Sequence, residues 1–204
     1  MHNHSAVQIL RISSLTPVPW KNGGGITHEA IRVPSSTEPF LWRVSIARID
    51  AAGPFSDFAG YNRTMVLLRG DGVALHFANG EHKVLRQIGD IAEFDGALFA
   101  HCELLGGSCM DLNLMAAKSL GAVPARVQRL TAPLQVAASA SETLLLACVQ
   151  GTIVLDGDGD GDGAERAPIE PGDLAVLSQA VSRSVVRPAD CAAGALLFIA
   201  TIRS

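Results

Sequence analysis

Short alternations of apolar and polar residues, broken by turn signals about every ten residues, run through most of the chain. Leu41-Trp42-Arg43-Val44-Ser45-Ile46-Ala47-Arg48-Ile49 shows the pattern most cleanly. In a strand, successive side chains point to opposite faces, so Trp42, Val44 and Ile46 fall on one side and Arg43, Ser45 and Ala47 on the other. Similar segments predict strands over residues 7–12, 26–33, 64–68, 73–77, 83–85, 91–94 and 109–115. No long amphipathic helix competes with them. The pattern predicts an all-β sandwich or barrel.

A repeat within the chain sharpens that reading. Val66-Leu67-Leu68-Arg69-Gly70 leads through a strand and a loop to Ile88-Gly89-Asp90-Ile91-Ala92. Ala147-Cys148-Val149-Gln150-Gly151 leads in the same way to Pro171-Gly172-Asp173-Leu174-Ala175. Gly70 and Gly151 stand 81 residues apart, Gly89 and Gly172 stand 83 apart, and each half closes on a long apolar strand. A hairpin followed by a Gly-Asp turn is the grammar of the double-stranded β-helix, or jelly-roll, unit. Two copies predict a bicupin: one barrel over residues 1–118, a second over 119–204, and a connection through 116–127 in which Pro124 limits any helix. The later half is rich in Ala and Leu, so the site is expected in the earlier one and a packing role in the other.

Composition narrows the function classes. With 48% hydrophobic and 18% charged residues a large core is expected and disorder is not. A net charge of -4 with no Lys/Arg run argues against nucleic acid or an anionic membrane as partner. No basic region followed by an apolar run opens the chain and no segment reaches spanning length, which predicts a cytoplasmic protein. Cys102, Cys109, Cys148 and Cys191 form no CxxC pair and read as reduced, partly buried thiols. The run from Asp156 to Gly163 lacks the Glu a calcium loop needs at its twelfth position, and reads as an acidic hairpin loop. Cupin metal sites take a His-x-His pair, a downstream Glu and a later His. The only such pair here, His2 and His4, precedes every strand, and residues 55–66 hold no His, so no metal and no cofactor is expected.

The densest chemistry lies in Pro19-Trp20-Lys21-Asn22-Gly23-Gly24-Gly25-Ile26-Thr27-His28-Glu29. Three glycines cost backbone entropy and are tolerated where the chain takes unusual angles or approaches something closely. The segment fits a turn at a sheet edge or one wall of a pocket. A second cluster, Gly53-Pro54-Phe55-Ser56-Asp57-Phe58 with Arg63 after it, offers two rings, a hydroxyl and a planar donor fork suited to a carboxylate. Arg43 and Ser45 share a strand face that is either solvated or turned inward, where Arg43 would need a carboxylate such as Glu29. No Gly-x-Ser-x-Gly elbow surrounds a serine.

The Pro-Trp-Lys-Asn-Gly-Gly-Gly run, Phe40-Leu41-Trp42-Arg43-Val44-Ser45, Gly53-Pro54-Phe55-Ser56, Arg63 and Asp111-Leu112-Asn113-Leu114-Met115 together resemble the HutD/Ves family of bacterial cupin-like proteins. The resemblance covers essentially the whole chain. It implies a bicupin, cytoplasmic and without an established reaction, that modulates histidine utilisation by sensing an intermediate such as urocanate or N-formylglutamate. The Ves branch implies a stress-response role instead. Both intermediates are small anions, so the expected ligand-contacting set is Trp20, Lys21, Asn22, Gly23, Gly24, Thr27, Glu29, Trp42, Arg43, Ser45, Phe55, Ser56 and Arg63. Cations would hold the carboxylate, rings would cover the rest, and glycine N–H groups would form an anion nest. The partner expected is a small anionic metabolite, with a homodimer left open. The competing expectation is a metal-independent hydrolase or isomerase with Glu29 as general base.

Overall fold

The computed structural model describes residues 7–157, 168–178 and 184–203. Their elements are strands, together with two short 3₁₀ turns, Ile12–Ser14 and Lys118–Leu120. In chain order the strands are β1 (Val7–Leu10), β2 (Pro17–Pro19), β3 (Gly25–Val33), β4 (Trp42–Ile49), β5 (Gly53–Pro54), β6 (Tyr61–Arg69), β7 (Val73–Phe77), β8 (His82–Leu85), β9 (Ile91–Asp95), β10 (Ala100–Leu104), β11 (Cys109–Ala117), β12 (Ala125–Leu130), β13 (Leu134–Val136), β14 (Glu142–Gln150), β15 (Ile153–Gly157), β16 (Leu174–Leu177), β17 (Ser184–Pro188) and β18 (Ala195–Arg203). The protein is all-β, as the alternation predicts. Among the described residues no helix is long and apolar enough to cross a membrane. The acidic run expected as a hairpin loop falls mostly outside the described residues, as do His2 and His4.

The chain divides into two compact units. One takes Ile12–Ala122; the other takes the described residues of Met1–Arg11 and Val123–Ser204. In the first, a six-stranded sheet of order β2-β3-β4-β11-β6-β9 accompanies a four-stranded sheet of order β5-β10-β7-β8. Ile49, Met65 and Leu67 of the larger sheet pack with Val73, Leu75, Phe77 and Leu85 of the smaller. Each such side chain contributes roughly 1.5–3 kcal/mol on burial, and together they hold the sheets face to face. In the second, a five-stranded sheet (β1-β16-β14-β18-β12) and a three-stranded sheet (β13-β17-β15) enclose Leu144, Leu146, Ile153, Leu155, Val186, Leu197 and Ile199.

The segment expected as the opening strand of the earlier half goes to the later unit. β1 runs antiparallel to β16, from Val7 opposite Leu177 to Leu10 opposite Leu174, and lays Val7 and Ile9 on that unit's core. The free edge of β16 is a row of unpaired backbone groups, and β1 satisfies it.

The repeat reappears in the hydrogen bonding. Where β6 meets β11 the register shifts between Met110 and Asp111, and Leu68 is the extra residue. Where β14 meets β18 it shifts between Cys148 and Gln150, and Val149 is the extra residue, 81 positions on. The strands then turn at Gly70 (φ 102°) and Gly151 (φ 80°), in the left-handed region open to glycine. The Gly-Asp turns match as well. Gly89 N–H donates to Leu67 O at 2.8 Å and Gly172 N–H to Cys148 O at 3.0 Å. Asp90 and Asp173 each donate a backbone N–H three residues back, to Gln87 O and Glu170 O, both at 2.9 Å.

Candidate functional site

The glycine run builds a wall. Trp20 N–H donates to Gly25 O at 2.9 Å and Gly23 N–H to Trp20 O at 3.0 Å, closing a tight loop in which Gly23 has φ 71°. A Cβ on Gly25 would run into the Arg48 carbonyl oxygen and come within 3.1 Å of the Trp20 ring. Only a glycine therefore lets the indole lie on β3. Trp20 Nε1–H donates to Thr27 Oγ1 at 2.7 Å, and the ring meets Phe55 edge-on, with centroids 6.1 Å apart. The anion nest expected from the glycines is not formed by Gly23 and Gly24. The Gly23 N–H is taken by Trp20, the Gly24 N–H donates to Asn22 Oδ1 at 3.0 Å, and neither residue lines the cavity.

That wall bounds a cavity of about 910 Å³ whose floor is one face of the six-stranded sheet. Register sets its composition. One cross-strand row runs Thr27, Ala47, Asp111, Leu67; the next runs Glu29, Ser45, Asn113, Met65; the third runs Arg32, Arg43, Met115, Arg63, Phe94. Glu29 and Arg32 share a face although three residues apart, because β3 bulges between Glu29 and Ile31. Arg32 grips Glu29 with Nε–H to Oε1 at 3.0 Å and Nη2–H to Oε2 at 2.7 Å. Arg43 Nε lies 3.1 Å from Glu29 Oε2, too poorly aligned for a hydrogen bond. The Arg32 fork, more than Arg43, holds Glu29 below the usual carboxylate range.

Arg63 is the most confined cation of the cavity. It is 5% exposed, and its guanidinium carbon sits 4.9 Å from the Phe94 ring centroid, 5.2 Å from Phe55 and 5.7 Å from Phe58. The turn fixes two of these rings: Phe55 N–H donates to Ala100 O at 2.8 Å and Phe58 N–H to Gly96 O at 3.0 Å. Asp111, 2% exposed, faces the same cavity from β11. Burial pushes its carboxyl up to about 7 while Arg63 and Asn113 pull down, and burial lowers Arg63 to about 10. Arg63 Nε, Asp111 Oδ2 and Asn113 Oδ1 are buried with no hydrogen-bond partner. Unpartnered buried polar atoms are expensive, and this floor carries three of them.

The second unit shows what the fold does without them. By register, the counterparts of Arg63, Asp111 and Asn113 are Leu144, Leu197 and Ile199, all packed in its core. The same ladder therefore accepts an apolar floor.

Of the residues expected from sequence, Trp20, Lys21, Asn22, Thr27, Glu29, Arg43, Ser45, Phe55, Ser56 and Arg63 line this cavity. Trp42 does not: it pairs with Val33 and Ala116 on the opposite face, 4% exposed. Arg32, Asp111 and Asn113 line it too, beyond the set expected from sequence. The alternation Asp111-Leu112-Asn113-Leu114 carried a signal for the last two. His28 pairs with Ile46 on the far face, and no three His, Cys, Asp or Glu side chains converge as a metal site among the described residues. Burial pushes the Cys102 and Cys148 thiols up to about 12, far from a reactive thiolate.

An uncharacterised 21.2 kDa protein in the hutC 3' region of Pseudomonas putida is 39% identical over 144 residues, 70% of this chain and 74% of that protein. Protein Ves of Escherichia fergusonii is 36% identical over 97 residues, 47% of this chain and half of that one. Among solved structures, a conserved protein of unknown function from Pseudomonas aeruginosa PAO1 superposes with TM-score 0.80 at 29% identity, covering 97% of this chain and 98% of that one. HutD from Pseudomonas fluorescens SBW25 gives TM-score 0.75 at 26% identity, covering 97% and 100%. Oxalate decarboxylase of Lactobacillus farciminis, at 10% identity and TM-score 0.60 over 96% of this chain and 86% of that one, shares the cupin-like fold alone. The HutD family model matches residues 13–193, which include every residue of the cavity, and the chain belongs to the HutD family.

Proposed function

We propose that the protein is a bicupin that binds a small carboxylated metabolite in the cavity of the Ile12–Ala122 unit and modulates histidine utilisation. A histidine-degradation intermediate, urocanate or N-formylglutamate, is the ligand this reading names. The observation that carries it is the confined, ring-boxed Arg63 beside Arg43 on a buried floor, where the repeated unit has leucine and isoleucine. A guanidinium already desolvated and fixed loses little on receiving a carboxylate and gains a charge-assisted pair. Trp20 and Phe55 supply flat apolar walls for an imidazole ring or an aliphatic chain. The relatives bearing hutC and HutD in their names support the pathway, while the likeness to Ves keeps a stress-response role as the alternative.

Isothermal titration of the full-length chain with each intermediate tests the reading. Binding is expected for one of them, weakened at least tenfold by Arg63→Leu and by Arg43→Ala. No heat with either, together with an unchanged melting temperature, overturns the ligand class; wild-type affinity in both variants overturns the cation roles.

The enzymatic alternative changes its residue. Glu29, clamped by Arg32 and held below the usual range, is a poor general base, whereas Asp111 titrates near neutrality. Turnover of a pathway metabolite that vanishes in Asp111→Asn would favour it.

A further inference from the structure

Two opposite charges share the cavity floor without meeting. Arg63 on β6 and Asp111 on β11 feel each other electrostatically, yet Arg63 Nε and Asp111 Oδ2 are both without a hydrogen-bond partner. The other charges facing this floor do not settle the matter. On β3 and β4, Glu29 answers Arg32 and Arg43. Lys21 lines the exposed loop, and Cys102 on β10 carries a thiol that burial keeps neutral. Arg63 is thus left with one internal counter-charge, the carboxylate of Asp111.

A carboxylate ligand would compete for that role. With Asp111 ionised, the ligand would bring a second negative charge to a floor where little water screens it. With Asp111 protonated, the group becomes a donor and Arg63 is free to take the newcomer. We propose that anion binding in this cavity is coupled to the uptake of one proton by Asp111, whose carboxyl then donates its O–H to the ligand carboxylate that Arg63 holds. This rests on the reading that the cavity takes a carboxylate. The balance is simple: solvent or buffer supplies the proton, Asp111 Oδ2 receives it, and release reverses the step. Burial has already brought Asp111 to about 7, so an adjacent anion decides its charge near neutral pH. The free floor and the occupied floor then carry the same net charge, with Asp111 standing in for the ligand when none is bound.

The test is calorimetry of N-formylglutamate, which has no group titrating between pH 6 and 9, into the full-length protein. Runs at each pH in two buffers that titrate there and differ in ionisation enthalpy, EPPS and Tris at pH 8.5 and MES and piperazine at pH 5.5, count the protons. About one proton taken up per ligand is expected at pH 8.5 and about none at pH 5.5, with the association constant falling toward tenfold per pH unit above about 7. Asp111→Asn, a permanent donor, is expected to lose the buffer dependence and to bind about tenfold tighter than wild type at pH 8.5. Binding with no proton uptake in wild type overturns this proposal alone, as does uptake that persists in Asp111→Asn. Absence of binding with N-formylglutamate moves the proton count to urocanate at pH 8.5, where its imidazole no longer titrates, and absence of heat with both overturns the ligand reading and the coupling with it. Should the variant fail to fold, the wild-type proton count still decides.

Discussion

At the scale of single residues, Arg63 and Asp111 cost the fold something. Their counterparts Leu144 and Leu197 show that the ladder packs well with leucine at both positions. The double variant Arg63→Leu/Asp111→Leu is therefore expected to be more stable than wild type by about 1–4 kcal/mol, the usual gain when a buried charged pair becomes apolar, and to bind no carboxylate. The gain has a pH signature. The folded Asp111 keeps its proton up to about 7, above its ordinary value, so between about pH 4 and 7 the folded state holds more protons than the unfolded one. That contribution to stability is full below about pH 4, is lost as pH rises through 7, and stays lost above it. The double variant lacks the group, so its advantage should widen across this window, as chemical denaturation at pH 4.5, 6 and 8 would show. An advantage that shrinks over the window would contradict the assignment. Residue type was legible here only in part. Arg63 stands out as a planar donor near two rings. For Asp111 the local alternation gives a shared face with Asn113, but which strands flank that face, and so its burial beside Arg63, depends on a register between distant segments.

At the scale of elements, alternation locates most strands of the Ile12–Ala122 unit and half of the floor. It put Arg43 and Ser45 on one face and Trp42 on the other, and β4 does the same. Trp42 enters the expected site on its chemistry, against the period that excludes it. Arg32 was missed for a different reason: regular alternation puts it on the face opposite Glu29, and the bulge at Ala30 reverses that parity. A bulge leaves almost no trace in a sequence without a glycine at the spot. The glycine run is a place of close approach, and the thing approached is the chain's own indole. Gly25→Ala puts a methyl against the Arg48 carbonyl and the Trp20 ring. A loss of about 1–3 kcal/mol is expected, together with weaker ligand binding as the wall shifts. Full stability in this variant, read from denaturant midpoints, would show that the loop has slack.

At the scale of the whole molecule, the repeat was visible from two glycine pairs, and hydrogen bonds and bulges recur around both. What spacing could not reveal is that β1 leaves its neighbours in sequence to complete the other unit's sheet, since strand pairing between distant segments has no local signal. One placement has an optical consequence. The chain has two tryptophans and one tyrosine, and Trp20, Trp42 and Tyr61 all lie within Ile12–Ala122. Intrinsic fluorescence therefore reports on that unit alone, and the other is dark. Trp20 edges the cavity while Trp42 sits on the far face, so Trp42→Phe leaves a single tryptophan, which red-edge excitation selects over Tyr61 and whose intensity should change on ligand addition. Melting followed by that emission reads one unit, melting followed by calorimetry reads both, and the gap between the two curves is the spectroscopically silent half made visible.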